Sequence, residues 1–188
     1  MKLAKLFLAS SLVASCAFAE GAFVGVVGGY DRASYDVVDG YNTPDLDSAG
    51  HLVIGVKGGY DYGNSRMYAQ YNYKAKDTIY EDVDVEIKAG AHQFIVGYDW
   101  TPSLSESVKF SVGPYLGYSR LNLKDSDGDS DDQNGYVVGA KLGMIFDFGV
   151  GELEAGAKAD YSRHASSNDF VDFDAGTVGG YIGYNFKF

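Results

Sequence analysis

The chain has 188 residues, of which 26 are acidic and 15 are basic, so its formal net charge at pH 7 is −11. This excess of negative charge argues against nucleic acid as a partner, because phosphate binding requires a basic face. The composition includes 25 Gly, 16 Tyr and 11 Phe but only 3 Pro, which favours strands over helices because aromatic side chains fit a pleated surface.

Residues 1–19 have the pattern of a secretory signal peptide. Lys2 and Lys5 form a positive start, an apolar run follows over 6–13, and Ala19 ends a small-residue cleavage pattern before Glu20. We expect cleavage between Ala19 and Glu20, which leaves 13 basic against 26 acidic residues. The mature chain over 20–188 is then one domain.

The single cysteine, Cys16, lies inside this leader, so cleavage at Ala19 leaves no thiol and no disulfide. An alternative stays open, because the segment 13–16 is similar to a lipoprotein cleavage box that would lipidate Cys16. The apolar run over 6–13 is too short for a membrane-spanning helix, which needs roughly 20 apolar residues.

Eight runs with period-two alternation predict strands along the rest of the chain. They lie near 22–30, 50–61, 65–74, 89–100, 107–120, 135–148, 152–163 and 175–188. The last run shows the alternation best. Its apolar parity consists of Val178, Ile182, Tyr184, Phe186 and Phe188. Such alternation fits a soluble sandwich as well as a membrane barrel.

Connection lengths and aromatic positions favour the barrel. Short connections at 62–64, 101–106 and 149–151 alternate with long ones at 31–49, 75–88, 122–134 and 164–174. Aromatic residues also collect at both strand ends, as in the two interfacial girdles of a membrane barrel. The group near the short turns is Tyr60, Tyr62, Tyr98, Trp100, Phe146, Phe148, Phe186 and Phe188. The group near the long connections is Tyr30, Tyr73, Tyr118, Tyr136 and Tyr161. We therefore predict an all-β, eight-stranded antiparallel up-and-down transmembrane barrel with short periplasmic turns and four long extracellular loops.

The interior of such a small barrel is just wide enough to be filled by side chains. The predicted inward parity contains charges of both signs: Lys57, Arg66, Gln70, Asp99, Lys109, Lys141, Asp147, Glu154, Lys158, Asp160 and Lys187. Enclosed charges must be paired or hydrated. We expect a salt-bridged polar plug with little room for a pore.

From Phe23 to Phe188 the chain resembles the small outer-membrane barrels of the OmpA, OmpX and opacity type. The resemblance implies residence in the bacterial outer membrane among lipid and lipopolysaccharide, without cofactors or catalytic residues. It implies that the barrel-assembly machinery reads Tyr184, Phe186 and Phe188 at the terminus. The peptidoglycan-binding domain that often follows an OmpA-like barrel is not carried over, because the chain stops at the last strand.

The third long connection contains four alternating carboxylates that could take calcium weakly: Asp125, Asp127, Asp129 and Asp131. The register departs from an EF-hand, since Ser130 stands at the glycine position and Tyr136 at the glutamate position. The other predicted loops are also acid-rich. We interpret all of them mainly as solvated acidic surfaces that face cation-bridged lipopolysaccharide.

His164-Ala165-Ser166 is similar to the His-x-Ser pair of lipid A deacylases, in which a neutral His activates a Ser hydroxyl. Parity turns His164 and Ser166 inward, away from lipid, and Ser167 displaces the expected Asn to Asn168. His51, His92 and His164 lie at the long-connection ends of strands, where a metal site is conceivable, although parity turns His92 outward.

The sequence therefore predicts a non-enzymatic outer-membrane barrel that supports membrane integrity and contacts extracellular ligands through its loops. Two alternatives remain at this point. One is a narrow porin-like channel, and the other is a lipid A deacylase-like enzyme.

Overall fold

The computed structural model describes residues 21–38, 48–82, 85–125, 130–165 and 172–188. These ranges contain eight strands. The strands are β1 (Ala22–Val38), β2 (Ala49–Asp61), β3 (Ser65–Asp82), β4 (Val85–Trp100), β5 (Val108–Asp125), β6 (Ser130–Asp147), β7 (Gly151–Ala165) and β8 (Asp172–Lys187). In this part of the chain, no helix is long and apolar enough to cross a membrane.

The strands close into a barrel in which each strand pairs antiparallel with the next. The closing ladder joins β1 to β8, from the Phe23–Lys187 pair to the Val38–Asp172 pair. Closure gives every strand a neighbour on both sides, so the backbone amides and carbonyls of the apolar layer are bonded within the sheet. The predicted fold is confirmed.

The strands run further than the sequence predicted at one end of the barrel. We call this end the loop rim, and the opposite end, where β1 begins and β8 ends, the turn rim. β3 continues to Asp82, β5 continues to Asp125 and β6 starts at Ser130. The connections predicted over 75–88 and 122–134 are therefore largely paired hairpins, which corrects their assignment as long loops. Alternation could not show this, because outside an apolar layer both faces of a strand can be polar.

Two turns at the turn rim have the same backbone conformation and the same hydrogen bond. Gly63 and Gly149 each adopt φ of +87°, a conformation that side chains disfavour. Each glycine N–H donates to the Oδ1 of the Asp two residues earlier, Asp61 or Asp147, at 2.7 Å. This Asp-aromatic-Gly arrangement is an Asx turn that bonds the backbone where the ladder ends.

The outward face of the barrel is apolar. Side chains such as Leu52 and Ile54 are 68% and 66% exposed, although both are aliphatic. The predicted aromatic groups lie at the two ends of this wall, with Trp100 and Tyr30 each 56% exposed. Between them, the only ionisable outward-facing side chain other than tyrosine on the described strands is His92. An apolar band between two aromatic girdles is the surface of a transmembrane barrel.

Candidate functional site

Side chains fill the lumen, and the part nearest the turn rim holds eight charged groups. We call them the lower cluster: Lys57, Asp61, Arg66, Asp99, Lys109, Lys141, Glu152 and Glu154. The Arg66 guanidinium lies at the base of the cluster, 2.6 Å from Asp61 Oδ2 and 2.6 Å from Glu152 Oε2. The aromatic ring of Phe23 lies 4.7 Å from the guanidinium carbon. Arg66 thus joins β2, β3 and β7 across the lumen.

Glu154 is the centre of the lower cluster. Its carboxylate accepts from Lys57 and, at 3.0 Å, from Lys141. The Tyr181 hydroxyl donates to Oε1 at 2.9 Å, and the Asn185 amide donates to Oε2 at 3.4 Å. Because Glu154 is fully buried, this set of donors is what permits a charged carboxylate at that position.

A second group of charges lies closer to the loop rim. We call Asp31, Lys74, Lys158 and Asp160 the upper cluster. Asp31 Oδ2 lies 2.9 Å from the Lys158 ammonium and 3.1 Å from that of Lys74. The Tyr115 hydroxyl donates to Asp160 at 2.9 Å.

The two clusters are electrically balanced. The lower cluster has four acidic and four basic side chains, and the upper cluster has two of each. Balance within each cluster limits the cost of burying charge, because every ion has an opposite partner at contact distance. An unbalanced lumen would instead attract ions or force side chains to neutralise.

An apolar cap lies in the lumen beyond the upper cluster. It consists of Ala33, Tyr35, Ala49, Ala89, Ala91, Leu121 and Ala175, all buried. The Tyr35 hydroxyl lies 2.7 Å from His51 Nε2, while His51 Nδ1 lies 2.9 Å from the carbonyl of Ala75. A carbonyl can only accept, so His51 carries its proton on Nδ1 and accepts from Tyr35.

The space left between the clusters is small. A cavity of about 30 Å³ is lined by Lys57, Lys141 and Lys158 together with amide and tyrosine side chains. One water requires roughly 10–15 Å³ of such space, so the cavity accommodates about two waters. In the described part of the chain, the lumen is therefore a plug rather than an aqueous path.

The interior predicted from strand parity is confirmed. Lys57, Arg66, Asp99, Lys141 and Glu154 are buried and ion-paired in the lumen. Asp147 and Lys187, both of the predicted inward parity, form an ion pair at the turn rim, with Lys187 Nζ 2.5 Å from Asp147 Oδ2.

Two members of the upper cluster escaped the prediction. Asp31 and Lys74 fell at or beyond the predicted ends of their strands, where parity was no longer applied. Extending the inward parity of the β1 run by one step past Tyr30 would have found Asp31.

The inward orientation predicted for His164 is confirmed, and its described contacts do not support a lipid A deacylase. His164 is buried in the lumen, and its Nε2 lies 2.9 Å from Ser119 Oγ on β5. Ser119 is itself fully buried, so this Ser–His pair has no access to a lipid substrate. Ser166 lies outside the described residues.

The other residues predicted as possible metal ligands either lie far apart or lie outside the described residues. His51 and His164 point into the lumen, whereas His92 lies on the outer wall against Tyr71, with His92 Nδ1 2.6 Å from the tyrosine oxygen. The three histidines therefore do not share a site. Asp127 and Asp129 lie outside the described residues, and Asp125 and Asp131 are described only as strand backbone. Within the ranges that the structure covers, no group of three or more His, Cys, Asp or Glu is arranged to hold a metal ion.

Comparisons with known proteins agree with a transmembrane barrel. The model of the outer membrane protein beta-barrel domain matches residues 6–186. The fold is similar to that of Neisserial surface protein A, with 17% identity over 90% of this chain and 98% of that chain and a TM-score of 0.62. It is also similar to outer membrane protein H of P. aeruginosa, with 20% identity over 89% of this chain and 99% of that chain and a TM-score of 0.50. No match was found among curated proteins.

Proposed function

The chain belongs to the family of outer-membrane β-barrel domains and resides in the bacterial outer membrane, and from that premise we propose that it is a non-enzymatic surface scaffold. Its barrel stabilises the membrane, and its acidic loops contact basic surfaces or divalent cations outside the cell. The observation that carries the proposal is the filled lumen, with two balanced ion clusters and an apolar cap. A barrel whose interior is packed leaves the outer wall and the exposed rim for function.

The strand extensions support a role for the loop rim. β5 runs seven residues past Tyr118 to Asp125, and its ladder with β6 continues to the Lys124–Ser130 pair. The hairpin thus reaches well beyond the girdle, on a rigid base. Its sequence and those of the other loops are rich in Asp and Glu, so charge complementarity favours a basic partner.

Shortening this hairpin tests the loop function. Replacing residues 124–130 by Asn-Gly would join the paired residues Leu123 and Asp131 through a two-residue turn that suits antiparallel strands. Cells lacking the protein would be complemented with the intact or shortened form. Adhesion would be measured on polylysine-coated and collagen-coated surfaces, and membrane integrity would be measured as detergent sensitivity.

We expect the shortened form to restore detergent resistance but not adhesion, because the barrel remains while one acidic loop is lost. A matched control replaces only Ser126 and Ser130 by Ala and keeps all the carboxylates. Equal adhesion of intact, shortened and protein-free cells would contradict the loop function. Equal detergent sensitivity of intact and protein-free cells would contradict the scaffold function.

We also propose that residues 1–19 are an export leader and that Tyr184, Phe186 and Phe188 form the signal read by the assembly machinery. Phe186 and Phe188 are about half exposed on the outer wall at the turn rim, so another protein can contact both rings. Replacing Phe188 by Ala should lower the assembled fraction, measured as heat-modifiable mobility on gels. The same change at the girdle residue Phe148 serves as control, and an equal loss there would contradict a specific terminal signal.

A further inference from the structure

Basic side chains stand on the outer wall just beyond the girdle at the loop rim. On β1, β5 and β7 they follow a girdle tyrosine by two residues, as Arg32, Arg120 and Arg163. On β3, Lys76 follows Tyr73 by three residues, across a register shift. The odd-numbered strands, which all run toward the loop rim, thus each place a positive charge immediately above the apolar band.

This arrangement is confined to one rim. At the turn rim, the outward-facing positions of the described strands carry uncharged side chains, such as Tyr60, Trp100, Phe146 and Phe186. A chain with a net charge of −11 therefore places four outward-facing basic side chains at the height of the outer-leaflet headgroups, two of them paired with carboxylates, Arg120 with Asp132 and Arg163 with Asp174. An acidic composition alone would instead predict negative charge at this height of the outer wall.

Two of these cations, Lys76 on β3 and Arg120 on β5, lie on the two strands that flank β4. His92 pairs with Arg120 in the β4–β5 ladder. Two residue pairs further out, Gly90 faces Asn122. Gly90 has no side chain, and Lys76 covers it, since a Cβ at Gly90 would lie 2.7 Å from Lys76 Cγ. The missing side chain brings the Lys76 stem over β4 toward Asn122 and Arg120.

A cleft of about 440 Å³ lies at this point of the outer wall. Its lining includes Tyr71, His92, Tyr118, Arg120, Asn122 and Asp132. Tyrosine rings form the side toward the apolar band, and hydrogen-bond donors form the side toward the loop rim. The cleft thus joins a surface for acyl chains or sugar rings to a surface for a polar headgroup.

The charges of the cleft favour an anion. Asp132 accepts from Arg120 and Asn122, and these bonds lower the pKa of its carboxyl, which lies beyond the girdle. This bond to Asp132 comes from one guanidinium nitrogen of a group that carries five donors, so Arg120 retains others for a ligand. Lys76 is exposed, and its positive charge also helps to lower the pKa of the Asp132 carboxyl. Among the described side chains here, the charges of Lys76 and Arg120 together exceed that of Asp132.

We propose that this cleft binds the phosphate group of an outer-leaflet glycolipid, with Lys76 and Arg120 as the phosphate contacts. Planar guanidinium and mobile ammonium groups are the side chains that bind phosphate oxygens. The source is a lipid rather than a soluble phosphate, because the cleft opens on the lipid-facing wall between tyrosine rings. This inference rests on membrane location and is independent of the loop function.

Binding of defined lipids tests the site. The mature protein in nanodiscs of zwitterionic lipid would be titrated with bisphosphorylated lipid A, with dephosphorylated lipid A and with inorganic phosphate. We expect saturable binding of the bisphosphorylated form only. The Lys76→Gln/Arg120→Gln double variant should bind it at least about tenfold more weakly, since charge-assisted hydrogen bonds contribute roughly 1.5–3 kcal/mol each. Only protein with heat-modifiable mobility would be titrated.

Two further variants separate the cleft from general electrostatics. Arg32→Gln removes an exposed positive charge at the same height on β1, outside the cleft, and should leave the affinity unchanged. Arg120→Lys keeps the charge and should retain most of the binding. Equal weakening by Arg32→Gln, or equal binding of dephosphorylated lipid A, would overturn the proposal. Tight binding of inorganic phosphate would overturn the lipid as source.

Discussion

Among single residues, Glu154 makes contacts whose loss the lumen cannot repair. Replacing it by Gln removes the negative charge between Lys57 and Lys141 and leaves two buried ammonium groups short of an acceptor. We expect the free energy of unfolding to fall by about 3 kcal/mol, within the range for breaking one partner of a buried pair. Urea unfolding in lipid vesicles, followed by the fluorescence of the single tryptophan, Trp100, measures the change.

The control for this prediction is Glu106→Gln in the turn between β4 and β5. Glu106 is exposed, so the same chemical change should alter the unfolding free energy by no more than about 0.5 kcal/mol. A loss at Glu154 as small as that at Glu106 would mean that water reaches the lower cluster.

Strand parity predicted most of the buried charges inside the apolar band, but not how they pair. Lys57, Arg66 and Glu154 could be assigned to the lumen because each lies opposite the apolar parity of its strand. The pairing of Lys57 with Glu154 joins residues 97 positions apart, and it depends on strand tilt and stagger, which parity does not contain. His164 illustrates the same limit, since its Nε2 contacts the hydroxyl of Ser119, 45 positions earlier in the chain.

At the scale of elements, the glycines of the two turns have the backbone conformation that side chains tolerate least. Replacing Gly149 by Ala places a Cβ at φ of +87°, which costs roughly 1–2 kcal/mol for an L-residue. We expect a loss of about 1 kcal/mol in the same unfolding assay, with unchanged assembly. A Cβ at Gly149 meets no atom within 4 Å, so the effect would report the backbone and not a clash.

Gly176 in β8 supplies the matched control. A Cβ there also meets no atom within 4 Å, but the residue lacks a positive φ. Gly176→Ala should therefore leave stability unchanged or raise it slightly, because alanine has fewer unfolded conformations to lose. Equal destabilisation at both positions would show that backbone conformation is not the cause at Gly149.

The elements were predictable in number and order, and less so in extent. Each strand was identified inside the apolar band, where a lipid-facing parity opposes a polar one. Beyond the girdles that contrast disappears, so the outer parts of β3, β5 and β6 were assigned to loops. The apolar cap was missed for the same reason, since its inward residues Ala33 and Leu121 lie on the parts of β1 and β5 beyond the predicted runs.

For the whole molecule, charge is sorted by location. The two lumen clusters hold equal numbers of acidic and basic groups, and the described part of the wall between the girdles holds almost none. The outer wall above the girdle holds basic side chains, and the loop sequences are acidic. Net charge alone could not show this sorting, which only the closed sheet and its register define.

The layered lumen leads to a prediction about transport. Ions crossing the barrel would have to pass the lower cluster, the upper cluster and the apolar cap, and the cavity between the clusters accommodates only about two waters. We expect single-channel recordings in planar bilayers to stay at baseline. Glu154→Gln should also stay at baseline, because it disturbs the lower cluster while the cap around Tyr35 and Leu121 still excludes water. Discrete current steps in the wild-type protein would contradict a closed lumen. Steps in the variant alone would show that the lower cluster is the seal and that the cap is permeable.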